Sequence, residues 1–185
     1  MKLRSVVMCG LMTAVTAVLS QIAIPLPFSP VPVSLGVLAV FLCGGLLSPG
    51  EAALSQLAYL LLGVVGVPVF SSFGSGVGKL LGPTGGFLFS YPLMAVVVSF
   101  SVKWGFSNRK YVMQTLISVS GMVGAMLVCY ACGTAWFCYQ QQVSVSAALG
   151  MCVIPFLLPD ALKIALTAAA LPVLHGRLSL LQARA

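Results

Sequence analysis

Charged side chains are scarce in this sequence, and acidic ones are almost absent. Only 6% of its 185 residues are charged, with nine Lys or Arg against two Asp or Glu, and there is one histidine. An ordinary soluble domain carries roughly a quarter charged residues, which it needs to cover its water-exposed surface. The scarcity of charge therefore excludes a soluble globular protein. The few His and acidic residues also argue against a metal site.

Hydrophobic residues make up 60% of the chain, and its mean hydropathy is +1.12. These values indicate an integral membrane protein. The net charge of +7 is not evidence for nucleic-acid binding, because the basic residues are scattered between apolar segments. Lys and Arg in such positions are typical of the loops that set the orientation of a membrane protein.

The uncharged segments indicate how the chain is organised. They cover residues 5–50, 52–78, 80–102, 111–159 and 164–176. One helical span needs about 20 residues, so the two longest segments hold two helices each. Four prolines between Pro25 and Pro32 predict a loop in the first of them. The polar residues of 139–146 predict a loop in the other.

We therefore predict an all-α integral membrane protein, with a single transmembrane domain over residues 1–185 and six transmembrane helices. The helices are expected at residues 5–24, 33–47, 51–65, 84–103, 111–137 and 147–174. The second and third are short for a bilayer whose apolar core is about 30 Å thick. We expect them to be buried among their neighbours or extended by irregular backbone that faces a cavity.

The basic residues predict the orientation of these helices, because an even number of spans places both termini on one side. Seven of them then lie on the side of the termini: Lys2, Arg4, Lys103, Arg109, Lys110, Arg177 and Arg184. Lys79 lies on the other side, together with residues 140–142. Because basic residues accumulate in cytoplasmic loops, both termini are predicted to be cytoplasmic. The first helix has no cleavage pattern of small residues, so we expect it to be retained.

Two short motifs suggest other functions. Residues 74–80 (GSGVGKL) are similar to a phosphate-binding loop, but Phe73 stands where that loop needs Gly, and Leu80 stands where it needs Ser or Thr. Cys129 and Cys132 have the C-x-x-C spacing of redox pairs, which makes a membrane thiol oxidoreductase an alternative function. Their position inside a predicted span, away from a helix start and from basic neighbours, argues against a reactive thiolate.

Asp160 and Lys163 are opposite charges inside one predicted span. Three residues apart on a helix, they offer a carboxylate and an ammonium side by side. Each charge costs about 3 kcal/mol to insert at mid-bilayer, so such residues normally line a cavity or a pathway. A neutralised pair that only fixes helix packing is the alternative interpretation. Pro155 and Pro159 are expected to kink or open the helix just before the pair, which favours a polar pocket.

Four segments, taken in order, resemble the BioY family over nearly the whole chain. They are residues 25–34 (PLPFSPVPVS), 59–70 (YLLLGVVGVPVF), 81–87 (LGPTGGF) and 159–163 (PDALK). BioY proteins are biotin-specific substrate-binding (S) components of energy-coupling-factor (ECF) transporters. The resemblance implies a six-helix, ECF S-component-like fold in a bacterial cytoplasmic membrane, which captures biotin from outside. It also implies a separate transmembrane coupling protein and two cytoplasmic ABC-type ATPases, with no cofactor and no enzyme activity in this chain.

By the same resemblance, Asp160 and Lys163 belong to the ligand site. Asp160 can accept hydrogen bonds from the ureido N–H groups of biotin, and Lys163 can donate to its carbonyl or balance an anion.

Other candidates for the ligand site lie near the external loop. Phe70, Phe73 and Tyr91 are candidate walls for the apolar parts of biotin, and Thr84 can contribute a hydroxyl. The alternatives are ordinary packing of the aromatic side chains and a Thr84 hydroxyl turned to its own backbone.

The first helix carries a stripe of small residues, Gly10, Ala14 and Ala17. Small residues let another helix approach closely in lipid, where no hydrophobic force drives association. In the resembling family such an element contacts the coupling protein, so we predict a docking face here. Packing against a helix of the same chain is the alternative. A transporter or channel that acts alone also stays open as a function, although the chain has no convincing internal repeat.

Overall fold

The computed structural model describes residues 3–106 and 111–183. In this part of the chain the regular structure is helical, as the sequence predicts, apart from one small β-hairpin. The helices are α1 (Leu3–Gln21), α2 (Gly36–Leu46), α3 (Pro49–Val64), α4 (Val77–Leu81), α5 (Gly85–Gly105), α6 (Tyr111–Gln141), α7 (Val145–Cys152) and α8 (Leu157–Ala183). Short 3-10 turns lie at Ser71–Phe73 and Ile154–Phe156.

The proline-rich segment after α1 is a β-hairpin, which corrects the prediction of a loop. Strand β1 (Ala23–Leu26) pairs antiparallel with β2 (Ser29–Ser34), with Ala23 opposite Ser34 and Leu26 opposite Ser29. Proline has no amide donor, but both strands of a two-stranded sheet are edge strands, where a missing donor can face away from the partner. The prolines therefore exclude a helix here without excluding a strand.

A capping box closes the turn between α2 and α3. Pro49 takes the first position of α3, where an amide donor is not needed, and Ser48 stands before it. Glu51 accepts hydrogen bonds from the backbone nitrogen of Ser48 at 3.0 Å and from its hydroxyl at 2.7 Å. One of the two acidic side chains in the sequence thus serves a helix end, and Asp160 is the other.

The second half of the chain differs from the prediction in two places. Helix α6 continues to Gln141, through part of the polar segment that predicts a loop. With 31 residues it is about 46 Å long, so its end extends past the apolar core of a bilayer, where polar residues are tolerated. The helix predicted at 147–174 is interrupted, because α7 ends at Cys152 and α8 begins at Leu157. The 3-10 turn between them contains Pro155, so the break lies where the prolines predict it.

Helix α5 lies at the centre of the fold and packs on α2, α3 and α6. Helix α2 is short and deeply buried, with Ala39, Val40 and Phe41 fully enclosed. This agrees with the expectation that the second helix is buried among its neighbours.

Polar side chains join α1 to α3. The Thr13 hydroxyl donates to the Ser55 carbonyl at 2.9 Å, and the Tyr59 hydroxyl donates to Ser20 Oγ at 3.0 Å. All four residues are buried. Because buried hydrogen bonds need a defined geometry, these contacts fix the face of α1 that is turned to the core.

The start of α1 and the later part of α8 lie at the same end of the molecule. Glu51 interacts with Ser5 of α1 and Lys103 of α5, and His175 Nε2 of α8 donates to the Gly45 carbonyl of α2 at 2.8 Å. Arg4 and Lys103 are therefore at the same end, as the charge pattern predicts. Four more residues of that pattern, Lys2, Arg109, Lys110 and Arg184, lie outside the described residues, and so does the Arg177 side chain.

At the opposite end, α1 and α6 contact the segment that joins α3 to α5. Gln21 donates to the Pro68 carbonyl at 3.1 Å, and Trp136 Nε1 donates to the Gly82 carbonyl at 2.9 Å. Lys79 lies on α4 within this segment. The structure therefore places Lys79 at the end opposite the start of α1.

Within the described residues, four segments are long and apolar enough to cross a membrane: Leu3–Gln21, Gly85–Gly105, Val112–Gln141 and Val145–Gly176. Helices α2 and α3 have 11 and 16 residues, which correspond to about 16 and 24 Å. The fold is thus a bundle of apolar helices, while the count of six spans and the cytoplasmic location of the termini stay predictions.

Candidate functional site

Asp160 and Lys163 form an ion pair near the start of α8. Lys163 Nζ donates to Asp160 Oδ1 at 2.7 Å, and each residue is only 4% exposed. Their spacing of three residues places both side chains on one face of the helix. The interruption before α8 places Asp160 in its first turn, where the helix dipole favours a negative charge.

A tyrosine of α6 completes this cluster. The Tyr130 hydroxyl donates to Asp160 Oδ2 at 2.6 Å, between residues that are 30 apart in the sequence. Both carboxylate oxygens of Asp160 therefore accept a hydrogen bond from a protein donor. Bonds to an ionised carboxylate at this distance are among the stronger hydrogen bonds in proteins, and they offset part of the cost of burying the charge.

The ion pair retains hydrogen-bonding capacity for a ligand. An ammonium has three N–H donors, of which Lys163 directs one at Asp160, and each carboxylate oxygen can accept a further bond. A buried polar group without a partner costs about 1–3 kcal/mol, so these positions favour a bound polar molecule. Acceptor and donor atoms side by side, as in an amide or a urea, match the pair. A carboxylate matches Lys163 alone.

The ion pair faces a cavity whose walls are mostly apolar. The hairpin, the turn before α4, and helices α2, α5, α6, α7 and α8 all contribute. The lining residues are Val31, Pro32, Ser34, Val37, Ser71, Thr84, Phe87, Leu88, Tyr91, Met126, Cys129, Tyr130, Cys152, Phe156, Asp160 and Lys163. The cavity volume is about 50 Å³, which is room for a few water molecules. Few polar groups in an apolar cavity are typical of small-molecule sites.

The packing of α5 on α6 positions one wall of the cavity. Gly86 allows this close approach, because a Cβ at that position would overlap Trp136. Trp136 also holds the Gly82 carbonyl, so the start of α5 is fixed on both sides. Thr84 and Tyr91 are thereby placed in the cavity wall, toward the end of the molecule that carries Lys79.

Four of the ligand-site residues predicted from the sequence lie together. Thr84, Tyr91, Asp160 and Lys163 all line the cavity. Tyr91 is 6% exposed and stacks on Tyr59, with their ring centroids 6.2 Å apart.

Phe70 and Phe73 lie elsewhere. Phe70 is fully buried and packs edge-on against Tyr59, with their ring centroids 5.5 Å apart. Phe73 is 72% exposed. Neither residue lines the cavity, although Phe70 packs against Tyr59, which stacks on the lining residue Tyr91.

The small residues of α1 divide into two groups. Gly10 and Ala14 are exposed and line an open groove between α1 and α3, whereas Ala17 packs against the core. A Cβ at Gly10 would meet nothing within 4 Å. The opposite wall of this groove is apolar and consists of Leu54, Ala58, Leu61 and Leu62 of α3 and of Val65, which follows it.

Cys129 and Cys132 face different surroundings on α6. Cys129 is buried and lines the cavity, Cys132 is exposed, and both are free thiols. Both lie in the interior of a 31-residue helix, away from the helix start that activates redox cysteines. The geometry does not favour a redox pair.

The sequence pattern does not mark Tyr130 as a site residue. It stands in the middle of a long uncharged segment, where an aromatic side chain normally packs against lipid or core. Its role depends on the packing of α6 beside α8, which no local pattern indicates.

Comparison with known proteins gives consistent results. The model of the BioY family matches residues 1–179. The biotin transporter BioY2 of Lactococcus lactis subsp. cremoris is 39% identical over 163 residues, which are 88% of this chain and 85% of the relative. The probable biotin transporter BioY of Pyrococcus horikoshii is 35% identical over 165 residues, 89% of this chain and 92% of the relative.

Two solved structures have a similar fold. The S-component for biotin from an ECF-type ABC transporter has a TM-score of 0.83 at 24% identity, covering 95% of this chain and 92% of that chain. The S component of a bacterial ECF transporter has a TM-score of 0.60 at 16% identity, covering 98% of this chain and 99% of that chain. At these identities the likeness shows that the fold is that of an ECF S component.

Proposed function

The chain belongs to the BioY family, and from this premise we propose that it is the biotin-binding membrane component of a vitamin uptake transporter. The resemblance predicted from four sequence segments is confirmed by the family match over residues 1–179. Relatives named as biotin transporters, at 39% and 35% identity over most of the chain, support biotin as the ligand. These names also support a transport function over the alternative of a thiol oxidoreductase.

The observation that carries the proposal is the buried cluster of Asp160, Lys163 and Tyr130 in an apolar cavity. Biotin has a ureido ring with two N–H donors and a carbonyl acceptor, an apolar thiophane ring, and a valerate tail that ends in a carboxylate. We propose that Asp160 accepts from the ureido N–H groups, and that Lys163 donates to the ureido carbonyl or to the carboxylate.

The apolar walls suit the thiophane ring and the aliphatic tail. Phe87 offers an aromatic surface, and Met126 offers a flexible side chain that adapts to irregular shapes. Biotin is larger than the free space around the ion pair, so we expect lining side chains such as Met126 to move when it binds.

We propose that biotin enters from the external side of a bacterial cytoplasmic membrane, with both termini cytoplasmic. In support, the cavity lies toward the end of the molecule that carries Lys79, and Arg4 and Lys103 lie at the other end. Basic residues concentrate on the cytoplasmic side, so the end with Lys79 is the external one.

Residues 74–80 lack the Gly and the Ser or Thr of a nucleotide-binding loop, so this segment does not supply ATP hydrolysis for the delivery of biotin. We propose that the chain joins a transmembrane coupling protein and two cytoplasmic ABC-type ATPases. The docking face is the groove that contains Gly10 and Ala14. Its exposure, its apolar α3 wall and the open space beside Gly10 support this assignment.

Titration of the purified protein with labelled biotin tests the function directly. We expect saturable binding of one biotin per chain, competition by unlabelled biotin but not by thiamine, and no chemical change of the ligand. A folded protein that does not bind biotin would overturn the proposal. Uphill uptake by liposomes that contain this protein alone would instead favour a transporter that needs no partner.

A further inference from the structure

The contact between Asp160 and Lys163 does not by itself determine the direction in which the two side chains point into the cavity. Asp160 and Lys163 belong to the same helix, so their 2.7 Å contact moves with α8. The carboxylate can also rotate about its terminal torsion, which has broad energy wells. A bond from outside α8 is needed to hold it. Tyr130 of α6 supplies that bond at 2.6 Å.

We propose that Tyr130 is a positioning residue of the ligand site. Its hydroxyl fixes the orientation of Asp160 and, through Asp160, the orientation of Lys163 toward the bound molecule. The inference rests on the function proposed above. It gives Tyr130 a role in biotin affinity that acts through the Asp160 carboxylate and not through contact with the ligand.

The location of Tyr130 suits this role. Its side chain lines the ligand cavity, and it also lines an apolar groove between α6 and α7 that contains Ala131, Thr134 and Leu149. The ring therefore forms a wall between the cavity and the groove, with its hydroxyl directed inward at Asp160. A tyrosine has only two main side-chain torsions, so holding it in this position costs little conformational entropy.

The two bonds to Asp160 support each other. Tyr130 engages Oδ2 and Lys163 engages Oδ1, so the plane of the carboxylate is defined at both oxygens. In an interior of low polarity, connected charge-assisted bonds are stronger than isolated ones. Without the hydroxyl the carboxylate can rotate and Lys163 can follow it. Biotin would then have to order the Asp160 and Lys163 side chains when it binds. This ordering costs free energy, so the affinity for biotin would fall.

A double-mutant cycle separates this role from a direct contact. The biotin Kd is measured for the parent protein, for Tyr130→Phe, for Asp160→Asn and for the variant with both changes. Tyr139→Phe is the matched control, because Tyr139 is on the same helix, is 71% exposed and is absent from the cavity lining. Thermal unfolding in detergent is measured for every variant.

We expect Tyr130→Phe to weaken biotin binding about tenfold in the parent protein, the effect of one charge-assisted bond. In the Asp160→Asn background we expect Tyr130→Phe to raise the biotin Kd by less than about threefold, because the carboxylate charge that the hydroxyl positions is gone. Tyr139→Phe should leave the Kd unchanged.

Equal weakening in both backgrounds would indicate that Tyr130 contacts the ligand itself, and it would overturn the proposal. Unchanged binding by Tyr130→Phe would also overturn it, as would a Tyr130→Phe variant that fails to fold, since the hydroxyl would then support the fold. Absence of biotin binding by the parent protein is a failure of the proposed function. That failure is visible in the first measurement of the cycle.

Discussion

Removing both charges of the ion pair at once is the sharpest test of the ligand site. Asp160→Asn leaves the Lys163 ammonium without its counter-ion, and Lys163→Met leaves the carboxylate with the Tyr130 hydroxyl as its remaining partner within the cluster. The variant with both substitutions has no buried charge in the cluster, and Tyr130 can still donate to the carbonyl of the introduced Asn.

The substitutions are expected to change the stability of the protein and its affinity for biotin by different amounts. Breaking a buried ion pair by removing one partner costs roughly 3–5 kcal/mol, whereas replacing the whole pair by neutral residues is often neutral or stabilising. We therefore expect the double variant to unfold at a higher temperature than either single variant. A hydrogen bond to a charged group contributes about 1.5–3 kcal/mol, and tenfold in Kd corresponds to about 1.4 kcal/mol. Each single variant and the double variant should accordingly bind biotin at least tenfold more weakly.

The assay is a biotin titration of purified protein, together with its thermal unfolding in detergent. Lys103→Met is a matched control, because it removes an exposed lysine that is not part of the cavity lining. If the double variant folds and binds biotin with nearly the parent affinity, the ion pair serves only packing. The ligand would then have to bind in the external segment between Phe70 and Gly86.

The docking face and the topology give two further predictions. Gly10→Trp should abolish co-purification with the coupling protein while biotin binding survives, and Gly124→Trp, at another helical glycine with open space beside it, should change neither. Loss of folding in Gly10→Trp would place the stripe inside the fold. A cysteine introduced at Gln141 should react with an impermeant thiol reagent from outside the cell, and one at Lys103 only from the cytoplasmic side. Reaction of both from the same side would refute the proposed orientation.

The charged residues of the site could be predicted because charge in an apolar segment is conspicuous. Asp160 and Lys163 stand out in the sequence, and their spacing alone places them on one helix face. The break before them lies at Pro155, because a proline in a helix interior removes a backbone hydrogen bond and its ring clashes with the preceding turn. Each of these features is local, so it can be read from a few neighbouring residues.

Other parts of the fold depend on contacts that are distant in the sequence. Tyr130 has the composition of an ordinary membrane-helix residue, and only the packing of α6 beside α8 brings its hydroxyl to Asp160. The β-hairpin is not predictable from its prolines, because they indicate the absence of a helix but do not distinguish a loop from an edge strand. The polar residues that end α6 predict a loop, yet a helix can continue through such residues once it has left the apolar core.

The position of α8 after every other element of the cavity has a consequence for synthesis of the protein in the membrane. The residues of the hairpin, α5 and α6 that line the cavity are made before Asp160 and Lys163, because α8 is the last helix in the chain. Each charge alone would cost about 2.5–3.5 kcal/mol to insert at the centre of a bilayer, but the two arrive together and neutralise each other. Tyr130, the residue that donates to the Asp160 carboxylate, is also made before it. A chain that ends before α8 therefore lacks both charged residues of the cavity, and the polar wall is completed only when the last helix has been made.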